Sequence, residues 1–311
     1  EILRDLAKDM GEWAIYALLF MLAITLWKRF PYRPWRFLHR AMPVLYLAVA
    51  FHAVLLAPRD YWSQPAGALL AALIAAGVFG AVRSLLGGIG RARAASGEVV
   101  AVEQAAADVT TVRCRLDRGW RGHRPGQFAF VTFDAREGAH PFTIASADHG
   151  DGIVGFEIKA LGDYTRSLGS RLRIGQPVQV EGPYGCFDIE RCDPHARQVW
   201  IAGGIGVTPF LAWLESLQAD PARAPAADLH YCTRDRERDP FVQRLETLCS
   251  TLPGVHLHVH GARQGNALQA SALGDAKDAE VWFCGPTGLA DALRVGLARL
   301  GRRPRFHQEA F

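Results

Sequence analysis

The residues able to do chemistry in this 311-residue chain fall in a few short stretches. His140-Pro141-Phe142-Thr143-Ile144-Ala145-Ser146 reads as an extended segment, because Pro141 keeps His140 out of helical geometry and removes one backbone donor. Side chains alternate along a strand, so Phe142 and Ile144 share one face and Thr143 and Ala145 the other. A hydroxyl opposite an aromatic ring makes a wall for a flat ligand, although many edge strands have the same composition. Farther on, Gly203-Gly204-Ile205-Gly206-Val207-Thr208-Pro209 joins the apolar strand Gln198–Ala202 to an apolar-periodic helix from Phe210. Glycines there let backbone amides approach a diphosphate at a helix start. Asp163-Tyr164-Thr165 opens another helix with Asp163 as N-cap. Its free N–H groups and partial positive charge also suit a pyrophosphate, as they would in any capped helix.

Histidines supply a second kind of chemistry. His39 and His52 fall in one apolar stretch, thirteen residues apart, or about 20 Å along a helix. That separation suits two haems stacked across a membrane, one near each leaflet. Thirteen steps turn an ideal helix by roughly 220°, so the two would not share a face unless Pro43 kinks the turn. The alternative leaves His39 at the interface beside Arg40. His256, His258 and His260 alternate along Val255–His260. No carboxylate or cysteine is spaced to complete a metal site with them, and a strand with one polar face is the expectation. The six cysteines (114, 186, 192, 232, 249 and 284) form no CxxC pair, which argues against a disulfide frame or a zinc site. Cys284, in Val281-Trp282-Phe283-Cys284-Gly285-Pro286, reads by itself as packing.

The elements that must position these groups are of two kinds. Three windows hold no Asp, Glu, Lys or Arg: Trp13–Trp27, Ala41–Pro58 and Trp62–Val82. A membrane helix needs roughly 20 mostly apolar residues; the third window has that length, the second reaches it with residues 37–39, and the first needs its flanks. Residues 1–12 carry Glu1, Asp5, Asp9 and Glu12, which is unlike a signal peptide. Lys28, Arg29, Arg33, Arg36 and Arg40 fill the first connection and Arg83, Arg91 and Arg93 follow the third window. The 28–40 loop and everything after Arg83 are therefore expected in the cytoplasm. The net charge of +4 is small, and basic residues that bracket apolar spans argue against nucleic acid as a partner.

Leu86–Gly97 reads as the exit from the membrane. Short β-rich segments follow at Val99–Gln104, Thr110–Leu116, Phe128–Phe133, Phe142–Ala145, Ile153–Leu161 and Val178–Val180, which predicts a small antiparallel barrel. Strands and helices then alternate, the pattern of a doubly wound α/β domain. In such a sheet the end of strand Asp228–Cys232, at Thr233-Arg234-Asp235-Arg236, is where an adenosine ribose lies, a basic residue there favouring NADP. A solvated charge run would look the same.

Taken in order, His140-Pro141-Phe142-Thr143, Ile158-Lys159-Ala160-Leu161-Gly162-Asp163-Tyr164-Thr165, Gly203-Gly204-Ile205-Gly206-Val207-Thr208-Pro209, Phe283-Cys284-Gly285-Pro286 and the terminal Phe306-His307-Gln308-Glu309-Ala310-Phe311 resemble the ferredoxin–NADP reductase superfamily. The HPFT form is that of its ferric reductase and NADPH oxidase branch. The resemblance implies that His140, Pro141, Phe142 and Thr143 bind the FAD, with Thr143 touching the flavin, that Ile158, Lys159, Tyr164 and Thr165 line the FAD diphosphate site, and that Pro125-Gly126-Gln127-Phe128 enters it. It places Gly203, Gly204, Gly206, Val207, Thr208 and Pro209 on the nicotinamide nucleotide and Thr233 and Arg234 at its phosphate. Cys284, Gly285 and Pro286 would lie beside the nicotinamide, and Phe311 would stack on the flavin. Glu181-Gly182-Pro183-Tyr184-Gly185 would lie where the cofactors meet. Trp35-Arg36-Phe37-Leu38-His39-Arg40 with His52 resembles the fifth of six ferric-reductase helices, which makes His39 and His52 haem-iron ligands and leaves the first three helices absent. His140, where many relatives have Arg, and Ala310, where a bulkier residue is expected, depart from the pattern.

Together these features predict a multi-domain chain: an incomplete set of transmembrane helices (1–96), an antiparallel β-barrel for FAD (97–194) and a doubly wound NAD(P) domain (195–311). The expected cofactors are FAD, NADPH or NADH, and haem b. The expected function is electron transfer from NAD(P)H through FAD and transmembrane haem to dioxygen, a ferric chelate or a protein across the cell membrane. The alternatives are a membrane-anchored reductase module feeding a separate protein partner, or a non-catalytic adaptor.

Overall fold

The computed structural model describes all residues except Lys28, Pro194, residues 275–278 and Phe311, and only the backbone of Tyr32, Arg33 and Ala310. It consists of two units, Glu1–Ala92 and Arg93–Phe311.

The first unit is helical. Its elements are α1 (Ile2–Leu26), the short α2 (Tyr32–His39), α3 (Met42–Leu56) and α4 (Pro65–Leu85); α1, α3 and α4 are rich in Ala and Leu, which lose little freedom in a helix. Ile2–Leu26, Pro34–Leu56 and Pro65–Leu85 are long and apolar enough to cross a membrane, by length and composition. The first window takes its flank on the N-terminal side: α1 includes the charged residues before Trp13, with Asp5 and Lys8 paired one turn apart at 3.3 Å. One expectation needs correction. His39 and His52 are not on one helix, because the chain breaks at Arg40-Ala41 and α3 restarts with Pro43 in its first turn. A proline there lacks the donor that would bond the His39 carbonyl, and its ring crowds that oxygen. Two glycines let side chains of α3 into the neighbouring helices. A Cβ at Gly11 would run into the His52 ring, and one at Gly77 into the Tyr46 hydroxyl.

The second unit holds two sheets. The first comprises β1 (Ala94–Ala106), β2 (Val109–Leu116), β3 (Phe128–Thr132), β4 (His140–Thr143), β5 (Ile153–Lys159) and β6 (Pro177–Tyr184), in the order β4-β3-β6-β1-β2-β5 with antiparallel pairs throughout. Its edges meet: Ile144 bridges Phe156, and Ala145 N–H donates to the Gly155 carbonyl at 2.8 Å. The sheet thus closes into the expected barrel around Val99, Val131, Ile144, Phe156 and Val180. β1 begins before the expected Val99, since Ala94–Gly97 pair with Val178–Glu181 of β6. α5 (Asp163–Arg171) lies between β5 and β6 in the chain.

The second sheet is parallel, with β7 (Gln198–Gly203), β8 (Ala227–Thr233), β9 (Val255–Gly261), β10 (Glu280–Gly285) and β11 (Arg305–Ala310) in the order β11-β10-β7-β8-β9. β7 and β10 are buried at every position, as strands covered on both faces are. α6 (Thr208–Gln218) and α7 (Val242–Ser250) pack through Phe210, Trp213, Leu214 and Leu245 on one face. α8 (Thr287–Arg299) packs through Ala290, Leu293 and Leu297 on the other. From β7 the chain winds first through β8 and β9, then back to β10 and β11. The neighbouring ends of β7 and β10 are therefore the switch point where such sheets bind ligands. Trp213 ties this sheet to the barrel, its indole N–H donating to the Pro125 carbonyl at 3.0 Å.

Candidate active site

Two corners of the second unit offer backbone donors. At the first, α5 opens at Asp163 with Gly162 as its N-cap, one residue earlier than expected. The Thr165 hydroxyl decides this, accepting the Leu161 and Gly162 N–H groups at 3.0 Å each and donating to the Gly162 carbonyl at 3.2 Å. Thr165 is thereby occupied in shaping the turn, while the N–H groups of Asp163, Tyr164 and Thr165, in the first turn, have no carbonyl four residues back. A Cβ at Gly162 would meet only open space. The Tyr164 ring lies flat on His140, centroids 4.3 Å apart and 12° between planes. That stack joins the start of β4 to the start of α5. The Tyr164 hydroxyl is buried without a hydrogen-bond partner among the described residues. Burial, and then Asp134 and Glu137, push its pKa up to about 12.

At the second corner, β7 runs through Gly203-Gly204-Ile205-Gly206 into α6. Gly204 has φ +56° and faces open space, which opens its amide to a ligand, while a Cβ at Gly206 would run into the Cys284 carbonyl. The glycines thus lay the turn directly on the end of β10, with the Pro286 ring against Gly203. Val207 and Pro209 are buried, and Thr208 donates to the Ile205 carbonyl at 3.0 Å, so these three support the turn.

Between the corners runs a row of side chains. Thr143, Phe128 and Tyr184 are register partners on β4, β3 and β6. The Phe128 and Tyr184 rings are 5.9 Å apart, and Tyr184 bonds Glu181 at 2.7 Å beneath the Arg93 guanidinium. A Cβ on Gly185 would lie 3.1 Å from Phe128 and 3.4 Å from Glu309 Oε1. Glu309 pairs in register with Cys284, so this carboxylate spans from the barrel turn to the end of β10. Burial raises its pKa to about 6. Burial, with Glu309 adding to it, also raises the Cys284 thiol, which is neutral at physiological pH and not a nucleophilic thiolate. No role was expected of Glu309 from sequence; its only signal was a carboxylate in the last strand.

Some expected site residues are committed elsewhere. Phe142 packs toward the barrel interior beside Phe133 and Phe156, and the Ile158 side chain is core. Lys159 pairs with Asp108 at 3.5 Å, and Pro141 is exposed. Gly285 is buried at the end of β10. The Thr233 hydroxyl bonds Asp239, which also takes Tyr231. Arg236 pairs with Glu246 and Arg263 with Asp235, whereas Arg234 is exposed and, among the described residues, enters no ion pair. Phe311 lies outside the described residues. His258 and His260 meet His230 of β8 in a stack, His230 Nδ1 lying 3.1 Å from His260 Nε2. No described group of three or more His, Cys, Asp or Glu could hold a metal ion.

In the first unit, His39 ends α2, its ring on Trp35 at 4.8 Å, and His52 Nδ1 donates to the Ala7 carbonyl at 2.8 Å. A groove of about 670 Å³ between α1 and α3 is lined by residues such as Trp13, Phe20, Met21, Met42 and Leu45, and neither histidine lines it.

Comparison with known proteins bears on the barrel first, where residues 95–187 match the FAD-binding domain family. Vanillate O-demethylase oxidoreductase of Pseudomonas sp. (strain HR199 / DSM 7063) is 31% identical over 150 residues, 47% of this chain and 45% of that protein. The reductase component of propane 2-monooxygenase from Mycolicibacterium goodii is 29% identical over 213 residues, 63% of this chain and 61% of that protein. The chain thus spans about half the length of the first relative and less than two thirds of the second. Flavohemoglobin from Malassezia yamatoensis, solved with FAD and heme, superposes with a TM-score of 0.64 at 21% identity, over 86% of this chain and 72% of its own. The barrel and the parallel sheet together have the FAD/NAD-binding fold of the ferredoxin–NADP reductase type.

The barrel has the geometry to hold an FAD. The α5 turn, the open face at Gly162 and the unpartnered Tyr164 hydroxyl suit a diphosphate corner, with the Thr143–Phe128–Tyr184 row as the wall for a flat ring.

Proposed function

We propose that the chain is an NAD(P)H-dependent flavin reductase that delivers electrons to a protein acceptor. The observation that carries this reading is the reach of Glu309 from Cys284, at the switch point of the parallel sheet, to Gly185 beside the Phe128–Thr143 row of the barrel. Two ligands bound at the two diphosphate corners would bring their redox-active ends to this one place. FAD, when bound, supplies the chemistry, accepting a hydride from reduced nicotinamide and releasing electrons singly. Thr143 would hold a hydrogen bond to the flavin edge, His140 and Tyr164 would brace the diphosphate turn, and Gly204 would open its amide to the dinucleotide. Arg234 would meet a 2′-phosphate, which favours NADPH. The buried neutral Cys284 would pack against the nicotinamide and keep water from it.

The relatives named as reductase components support a protein as acceptor over dioxygen or ferric chelates. The first unit supports a membrane anchor: apart from Leu161, Ile174, Val295 and Leu300, the large apolar side chains exposed among the described residues all lie at or before Ile89. On this reading the reductase unit is held at the cytoplasmic face. The test is anaerobic titration of the purified whole chain in detergent. The expected result is a bound FAD whose absorbance bleaches with NADPH or NADH, followed by reduction of a one-electron acceptor. A flavin that neither nucleotide bleaches overturns the reading.

Haem as the next carrier is a finer reading, favoured by one observation. His52 holds the Ala7 carbonyl through Nδ1, which leaves Nε2 as a ligand atom in the manner of metal-bound imidazoles. The fit goes no further: His39 ends α2 with its ring on Trp35, and it does not share α3 with His52. No step is therefore assigned to haem. A low-spin Soret band in the purified chain would reinstate it.

A further inference from the structure

The two diphosphate corners lie on different lobes, the first in the barrel and the second in the parallel-sheet lobe, so their spacing depends on what locks those lobes together. Beside the Trp213–Pro125 contact, one arginine ties the lobes by ion pairs. Arg244 of α7 sends Nη1 to Glu157 Oε1 at 2.7 Å and Nη2 to Glu215 Oε1 at 2.6 Å. Glu157 is on β5, five residues before the Gly162 cap of α5, and its second oxygen accepts the Thr111 hydroxyl at 2.7 Å. Glu215 is on α6, the helix that leaves the glycine turn, and its second oxygen accepts the Ala147 N–H at 3.2 Å. Ala147 directly follows the His140–Ser146 segment. The guanidinium therefore connects, through one rigid fork, the strand that leads to one corner, the helix that leads from the other, and the segment that carries Thr143.

The lock is partly shielded from solvent, most deeply at Glu157. The Glu157 side chain is 3% exposed, that of Glu215 22% and that of Arg244 33%. Two carboxylates held at these distances need the cation between them, and the planar fork fixes direction as well as distance. Lysine would keep the charge but lose the planar fork that fixes the two directions. None of these three side chains lies in the Thr143–Phe128–Tyr184 row or at either corner.

We propose that Arg244 is a positioning residue for hydride transfer, setting the approach of the nicotinamide lobe to the flavin lobe through Glu157 and Glu215. This deepens the flavin-reductase reading and rests on it. Small misplacements of reacting groups cost rate far more than affinity, about a hundredfold for a shift near 1 Å.

The experiment compares wild type, Arg244→Lys and the double variant Arg244→Met/Glu157→Gln, which removes the link and neutralises the more deeply buried of its two carboxylates. Each is made as the whole chain in detergent. FAD content, the limiting rate of flavin bleaching at saturating NADPH, the KM for NADPH, and amide hydrogen exchange over residues 144–150 are measured. Near wild-type FAD content and KM are expected in the double variant, with a limiting rate lower by about tenfold to a hundredfold and faster exchange at Ala147. Arg244→Lys should show a smaller fall of the same kind, and it decides the matter if the double variant does not accumulate. A limiting rate within twofold of wild type, a change in KM alone, or loss of FAD in step with the rate would overturn the proposal, the last two by making Arg244 merely structural. Wild type that neither nucleotide bleaches would overturn the flavin-reductase reading and this one with it. A wild type that bleaches beside an unaffected variant would overturn this one alone.

Discussion

At the scale of single residues, the site works by charge and burial. Arg234 is an exposed cation at the end of β8 whose neighbours Arg236 and Arg263 already have acidic partners. Arg234→Ala should weaken NADPH binding by roughly tenfold to a hundredfold, the range for a hydrogen bond to a charged group, and leave NADH unchanged. Equal losses for both nucleotides in a titration would make the arginine structural. Thr143→Ala should slow flavin reduction about tenfold, the loss of one ordinary hydrogen bond, with FAD still bound; an unchanged stopped-flow rate removes Thr143 from the chemistry. His230 gives a pH test away from the site. Its folded pKa is lowered by burial, and then by His258 and His260, to about 4 from 6.5. The unfolded chain therefore takes up a proton at this residue before the folded chain does. The stability held above pH 6.5 is lost as pH falls toward 4, by about 3 kcal/mol for a shift of that size. His230→Gln should flatten the melting temperature between pH 6.5 and 4, and an unchanged slope would show that His230 is charged in the fold.

At the scale of elements, the turn between β7 and α6 shows two glycines used for different reasons. Gly204 needs a positive φ and has open space, whereas Gly206 lacks room for any Cβ beside the end of β10. Gly204→Ala should cost about 1 kcal/mol of stability, the left-handed penalty, and weaken the nucleotide by narrowing its cradle. Gly206→Ala should cost more, about 2–3 kcal/mol as overpacking does, because the backbone it meets cannot swing away. Denaturant titration of both variants checks the order, and a larger loss for Gly204→Ala would reverse the assignment. The α5 turn carries a related lesson. Its cap is Gly162 and not Asp163 because Thr165, three residues on, reaches back to the Gly162 N–H. A side-chain cap and a back-bonding threonine look alike in one dimension.

At the scale of the whole molecule, the separate cores of the two units make a prediction. The second unit closes its own barrel and covers both faces of its parallel sheet, with clusters that draw nothing from residues before Ala95. Residues 93–311 expressed alone should fold in water, bind FAD and bleach with NADPH, while the whole chain should need detergent. Gel filtration with a flavin spectrum checks this. Aggregation of 93–311 without detergent would show that the reductase unit depends on the helices.

What the chain declares by itself is whatever is local. Strand periodicity, the apolar windows and the glycine turn between strand and helix are written within a few residues of one another, and the barrel strands and the doubly wound pattern were legible from them. The order of the motifs along the chain was equally legible. Contacts between residues far apart in sequence were not. That Phe142 and Ile158 turn toward the barrel core while Thr143 joins Phe128 and Tyr184 in a row depends on barrel closure through Ile144 and Phe156. That Glu309 lies at once beside Cys284 and Gly185 depends on parallel pairing of β11 with β10 and on the docking of the two lobes. For His39 and His52 the sequence marked Pro43 as a kink, and the structure goes further, ending α2 at His39 and starting α3 at Met42. Periodicity determines which face a residue takes, and only packing decides what that face meets.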